Sequence, residues 1–180
     1  MRMELAVNTF DYSPAELSSF RLDGEILSDF LVDSSLSWLE KSQSVLAQET
    51  VPMVLTSFAA SWALGVGKKP HRPTATAVAP RRLREAQNGE ICIEERTLAS
   101  HHIWIEGHCG VTTPLRTISD LLRCPVENWF RSKRLVSELI TVYQLSLEDI
   151  EIFIHERGII PHKQVALSRT REIFYPSDTR

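Results

Sequence analysis

Cys92, His101, His102, His108 and Cys109 are the side chains best suited to hold zinc or to pair a nucleophile with a base. Their spacing supports neither use. There is no C-x-x-C and no H-x-x-x-H, and His108 and Cys109 are adjacent, so their side chains diverge on an extended backbone. Cys109 with His102 or His108 as its base still needs a third orienting group and an oxyanion site, and neither is legible. Glu90, Glu94, Glu95 and Glu106 are carboxylates in strand-like surroundings, as a divalent-metal nuclease requires, yet no lysine accompanies them. Gly65-Val66-Gly67-Lys68-Lys69 holds half of a phosphate loop and follows a helix where that motif follows a strand. The pattern predicts no catalytic residue, no metal and no cofactor, and leaves a metal nuclease or a zinc protein as the enzymatic alternative.

Charge is more informative. The net charge of -3 hides a reversal along the chain. Residues 1–50 carry Glu4, Asp11, Glu16, Asp23, Glu25, Asp29, Asp33, Glu40 and Glu49 against Arg2, Arg21 and Lys41. Lys68, Lys69, Arg72, Arg81, Arg82 and Arg84 then follow with no acid among them. Clustered cations repel one another unless something anionic neutralises them, so this run is a candidate surface for phosphates or an acidic partner. Arg169 and Arg171 on the last helix would extend it. The competing reading is a solvated loop, or one folded against the acidic first third.

The elements that must position these residues are readable from periodicity. With 180 residues, 43% hydrophobic and 24% charged, the chain can bury a real core. Its longest apolar stretch, 51–66, is interrupted by Thr56, Ser57 and Ser61 and falls short of the roughly 20 residues that span a bilayer. No signal peptide is legible at Met1–Leu5, and three cysteines at no framework spacing suit a reducing compartment, so a cytoplasmic protein without a membrane partner is expected. Ser13-Pro14-Ala15-Glu16 signals a short helix through Phe20, and 26–32 an extended run. A helix is expected from Ser34 or Ser35 towards Gln48, and a second, more apolar one from Val54 to Leu64, stopped by Gly65 and Gly67. Residues 75–79, 91–95 and 103–106 read as short strands, with Ile91 and Ile93 and then Ile103 and Ile105 alternating as a one-face sheet requires. Helices are expected again over 127–144, 146–157 and 162–174. Trp38, Trp62 and Trp129 fall in helical windows and read as core; Trp104 reads as one face of a strand. The fold class is α+β, a small, mostly antiparallel sheet with helices packed on it and helical N- and C-terminal thirds. The expected regions are 1–50, acidic and helical; 51–125, an α/β core; and 126–180, helical.

The core holds the most specific segment, Gly110-Val111-Thr112-Thr113-Pro114-Leu115-Arg116-Thr117-Ile118-Ser119-Asp120-Leu121-Leu122-Arg123. A β-branched approach ends at Thr113, an N-cap candidate; Pro114 sits at the first helical position, where its missing N–H costs nothing; and Leu115, Ile118, Leu121 and Leu122 recur at helical spacing. Arg116 and Asp120 stand four apart and can pair, in the less favourable order for the helix dipole. Thr112, Thr113, Pro114, Arg116 and Asp120 are thus expected to hold a strand-to-helix junction and to do no chemistry.

This segment resembles the heart of AbiEi-type antitoxins and their transcriptional-regulator relatives, the actinobacterial branch in particular. Ala15-Glu16-Leu17 with Arg21-Leu22-Asp23-Gly24-Glu25, the helix 56–65 containing Ala60-Ser61-Trp62-Ala63-Leu64, and Pro161-His162-Lys163 are similar to that branch as well. The resemblance implies a non-catalytic regulatory protein, an antitoxin of a type IV toxin–antitoxin system or a transcriptional regulator, whose partners are DNA or a protein such as a toxin. The alternative is a protein-binding module that holds a toxin or pairs with a second copy of itself. Two departures from the family plan stand out: residues 1–50 are acidic where a winged helix reading DNA would be basic, and no endonuclease-like extension is present within residues 126–180.

Overall fold

Met53-Val54-Leu55 is an apolar run too short for its pattern to tell a buried strand from a buried helix. In the computed structural model, which describes residues 36–78 and 90–176 and the backbone of 26–27 and 30–31, it is a strand at the heart of the sheet. The expected helix from Val54 therefore begins later, as Ser57–Ala63, and Pro52 precedes a strand. The Pro52 carbonyl accepts from the Val78 N–H at 3.0 Å.

The elements run β1 (Ile26–Leu27), β2 (Phe30–Leu31), α1 (Trp38–Leu46), β3 (Met53–Leu55), α2 (Ser57–Ala63), β4 (Thr74–Ala77), β5 (Cys92–Ile93), β6 (Ile103–Glu106), β7 (Cys109–Thr112), α3 (Pro114–Leu122), α4 (Trp129–Tyr143), α5 (Leu147–Glu156) and α6 (Lys163–Phe174). Within the extended run expected at 26–32, β1 and β2 pair antiparallel, Ile26 opposite Leu31 and Leu27 opposite Phe30. The helix expected at Ser13–Phe20 lies outside the described residues.

Five strands form the main sheet in the order β5-β4-β3-β7-β6. It is mixed, where a mostly antiparallel sheet was expected: β3 with β4 and β6 with β7 are antiparallel, but β3 with β7 and β4 with β5 are parallel. Alternation reports how many faces are covered, whereas strand direction follows from the path of the connections, to which alternation is blind. The parallel pair β3 and β7 occupies the centre, and every residue of both strands is buried. Such strands read as unbroken buried runs.

Residues opposite one another across a ladder share a face, so the registers Met53 with Cys109, Leu55 with Val111 and Leu55 with Ala75 define one side of the sheet. These side chains join Ile118, Leu121 and Leu122 of α3, Leu135, Val136 and Leu139 of α4, and Ile150 and Ile154 of α5 in a single buried cluster. The central helix is α3, which packs against α2, α4, α5 and α6. The helical ends follow sequence logic closely. Ser37 and Glu40 form a capping box on α1, as do Ser146 and Asp149 on α5. Gly65, with φ of +93°, takes the left-handed conformation just beyond α2, which a side chain would strain. No helix among the described residues is long and apolar enough to cross a membrane.

Candidate functional site

The segment 110–123 folds as a strand-to-helix corner. Its glycine is a matter of space: a Cβ on Gly110 would lie 2.9 Å from the Trp104 carbonyl oxygen and 3.1 Å from Val54 Cγ2. Thr113 is the N-cap residue and Pro114 opens α3, but the Thr113 hydroxyl makes no capping bond. Its backbone is committed instead, the N–H donating to the His102 carbonyl at 3.0 Å and the carbonyl accepting from the Thr117 N–H at 2.8 Å. Two other hydroxyls pin the corner. Thr117 Oγ1 donates to the Thr112 carbonyl at 3.1 Å and lies 2.7 Å from Thr112 Oγ1. A hydroxyl has one proton, so the Thr112 hydroxyl donates to that of Thr117. Thr117→Val keeps the shape and leaves a buried donor unpaired; a loss of about 2 kcal/mol in urea denaturation is expected, and no loss would show that the pair does not hold the corner.

Arg116 and Asp120 form a pair, but not a weak surface one. Both are buried, and Arg116 Nε reaches the two carboxylate oxygens at 3.1 and 3.0 Å. Three more guanidinium groups converge on the same carboxylate. Arg96 Nη1 lies at 2.9 Å, Arg157 Nη1 at 3.6 Å, and Arg123 Nη2 is hydrogen-bonded to Oδ1. Burial alone would raise the Asp120 pKa, but Arg116, Arg96 and Arg123 outweigh it and hold the carboxyl below its usual value. Arg157 shows the opposite side of the crowding: burial first, and then the neighbouring Arg116, bring its pKa down to about 10.

These residues floor a cleft of about 720 Å³ between α3, the segment following β5 and the loop before α6. Four guanidinium groups there meet two ion-paired carboxylates, Asp120 and Glu94, with Glu95 exposed at the rim. The cleft is therefore net positive. Each arginine also has a backbone or side-chain anchor: Arg96 on Glu94 at 2.7 Å, Arg123 on the Ser119 carbonyl at 3.0 Å, Arg157 on Ser119 Oγ at 3.0 Å and Arg116 on the Thr97 carbonyl at 3.5 Å. None of their nitrogens is both buried and without a hydrogen-bond partner. His102 sits beside this hub, 5.0 Å from the Phe153 ring, with its Nδ1 buried and unpartnered. Burial and then His101 push its pKa down to about 4, so the imidazole is neutral at pH 7.

The cations singled out by sequence are dispersed. Lys68 and Arg72 are exposed on the turn after α2, with no carboxylate at ion-pair distance among the described residues. Lys69 lies 5.6 Å from the centre of the Trp62 ring, and burial lowers its pKa. Arg81, Arg82 and Arg84 fall outside the described residues. Arg169 is buried: its Nη1 donates to the carbonyls of Leu122 and Cys124 at 2.8 and 2.7 Å, closing the end of α3, and its guanidinium lies 4.4 Å from the Trp129 ring centre. It has little left to offer a phosphate. Arg171 is exposed but paired with Glu151 at 2.8 Å.

Glu94 follows β5 and Glu106 ends β6, at opposite edges of the sheet, so those carboxylates do not share a site. No group of three or more His, Cys, Asp or Glu that could hold a metal ion occurs among the described residues. Cys92, Cys109 and Cys124 are free thiols, and burial raises the Cys109 pKa, away from the thiolate that a nucleophile needs. Sequence reasoning missed Arg96, Arg123 and Arg157 as partners of Asp120. Arg123 carries a local signal, three residues beyond Asp120 on the same helix. Arg96 and Arg157 lie 24 and 37 positions away in the chain and have none. Compared with protein-family models, curated proteins and solved structures, the chain matches none.

Proposed function

We propose that this chain is a non-catalytic regulatory protein of the AbiEi antitoxin type, cytoplasmic, that works by contact with the phosphates of nucleic acid. The observation that carries this reading is the turn after α2, where Lys68 and Arg72 stand in solvent without a carboxylate partner among the described residues. Unneutralised cations attract a polyanion, and each phosphate they neutralise releases counterions. The resemblance of the 110–123 corner supplies the class of protein. Fluorescence anisotropy with duplex DNA at two salt concentrations tests the reading. Binding should weaken with salt, and Lys68→Gln with Arg72→Gln should flatten the slope of log K against log salt by about 2. Negligible, salt-independent binding would remove the nucleic-acid reading.

A protein partner is the second reading, favoured by apolar side chains in solvent. Val126 is 78% exposed, Phe130 89% and Ile159 fully exposed. Large apolar residues at such exposure mark contact surfaces when they cluster. Co-purification of a basic protein partner without retained DNA would favour a toxin-holding module over a DNA-binding one.

A further inference from the structure

We propose that the arginine cleft is a binding site for a small phosphomonoester of nucleotide size, distinct from the cationic turn and independent of whether that turn meets DNA. Arg96, Arg123 and Arg157 would hold the phosphate, and Phe58, Pro125 and Ile160 would face the organic body.

The first argument is one of excess. Arg116 shares its one Nε proton between the two Asp120 oxygens and offsets that carboxylate's charge. By charge, the ion-paired Asp120 and Glu94 together balance two of the four guanidinium groups. Three further guanidinium groups on the same carboxylate repel one another, and each keeps N–H groups with no acceptor among the described residues. An oxyanion entering the cleft would take up those donors and relieve the repulsion. Arg157 already records that repulsion, with the Arg116 charge helping to lower its pKa.

The second argument is one of rigidity and size. The guanidinium groups are anchored on Glu94, the Ser119 carbonyl and Ser119 Oγ, so little side-chain freedom is left to lose on binding. At about 720 Å³ the cleft exceeds what a bare phosphate fills and lies within the roughly 300–1,000 Å³ of small-molecule sites. Beyond the charged groups its lining mixes apolar Phe58, Pro125, Ile160 and Pro161 with polar side chains such as Asn128 and His162. A charged floor with partly apolar, partly hydrogen-bonding walls suits an anion that carries a flat organic body with polar edges. Guanidinium forks match phosphate oxygens in pairs.

Thermal shift and isothermal titration calorimetry of the full chain test this with three probes at matched ionic strength: adenosine 5′-monophosphate, adenosine and inorganic phosphate. The nucleotide is expected to raise Tm and to bind in the micromolar to millimolar range; phosphate should bind more weakly, and adenosine should not shift Tm. Arg157→Gln and Arg96→Gln should each weaken nucleotide binding about tenfold, while Lys68→Gln leaves it unchanged. If either arginine variant fails to fold, the wild-type probe series and the other variant still decide. No shift at about 10 mM nucleotide, an equal shift with adenosine, or undiminished binding by both arginine variants would overturn the proposal. Loss of binding in Lys68→Gln would overturn it too, by moving the site to the turn.

Discussion

Asp120→Ala is expected to destabilise the protein by about 3–5 kcal/mol in urea denaturation, more than any other change to a polar group described above. The carboxylate is fully buried and is the shared partner of Arg116, Arg96, Arg123 and Arg157. Removing it leaves Arg116, which is 3% exposed, charged and without its main counterion, beside three like charges. A buried charge left without its partner appears as lost folding free energy. Asp120→Asn keeps the volume and one acceptor and should fall between wild type and alanine. A loss under 1 kcal/mol for the alanine variant would mean that solvent, not Asp120, neutralises the arginines.

The same group dictates a response to acid. The folded-state pKa of Asp120 is lowered, so its contribution is present above the unfolded carboxyl value and is lost as pH falls through the folded one. His102 acts in the same direction at higher pH. Its folded pKa is about 4 against 6.5 for a free imidazole, so between those values the unfolded chain takes up a proton that the folded chain refuses. Stability should therefore decline from about pH 6.5 downward, first through His102 and then through Asp120. In His102→Gln the upper part of that decline should disappear.

Gly110→Val is expected to cost about 3 kcal/mol or more, through overpacking and not through lost contact. Gly110 lies on the central strand β7, opposite Val54 of β3 and Ile105 of β6. A Cβ there would meet the Trp104 carbonyl oxygen at 2.9 Å, Val54 Cγ2 at 3.1 Å and the Ile105 Cβ at 3.3 Å. The nearest of these is backbone, which no rotamer change can move aside. Two ladders must then part around the residue that leads into α3. The near-UV signal of Trp104, which lies 6.1 Å from Trp38 and 6.5 Å from Tyr143 between ring centres, should change with the urea midpoint. A variant within 0.5 kcal/mol of wild type would show that the strands are less tightly set than these distances require.

How far sequence reached depended on how local each signal was. The boundaries of α4, α5 and α6, the Ser146 cap and the Gly65 stop were legible because each rests on residues a few positions apart. Val54 and Leu55 read as helix because a short buried apolar run carries no period, and the parallel pairings leave no local signal because they join positions 56 apart between β3 and β7 and 18 apart between β4 and β5. The candidate site divides in the same way. Arg116 and Asp120 announced themselves at helical spacing, but their burial did not, and neither did the convergence of Arg96 and Arg157 from other elements. Arg169 was legible as a cation but not as the closure of α3, because that role depends on carbonyls 45 and 47 residues away.

The register of β3 against β7, which joins Met53 to Cys109, also sets a timetable for synthesis. While the ribosome is still making residues 56 to 108, β3 has no parallel neighbour, and its fully apolar stretch waits beside an unfilled lane. The closing move belongs to the hairpin of β6 and β7, which can assemble locally and then dock as a unit. Nascent chains paused before that hairpin emerges are the ones most exposed to clumping and to chaperone capture.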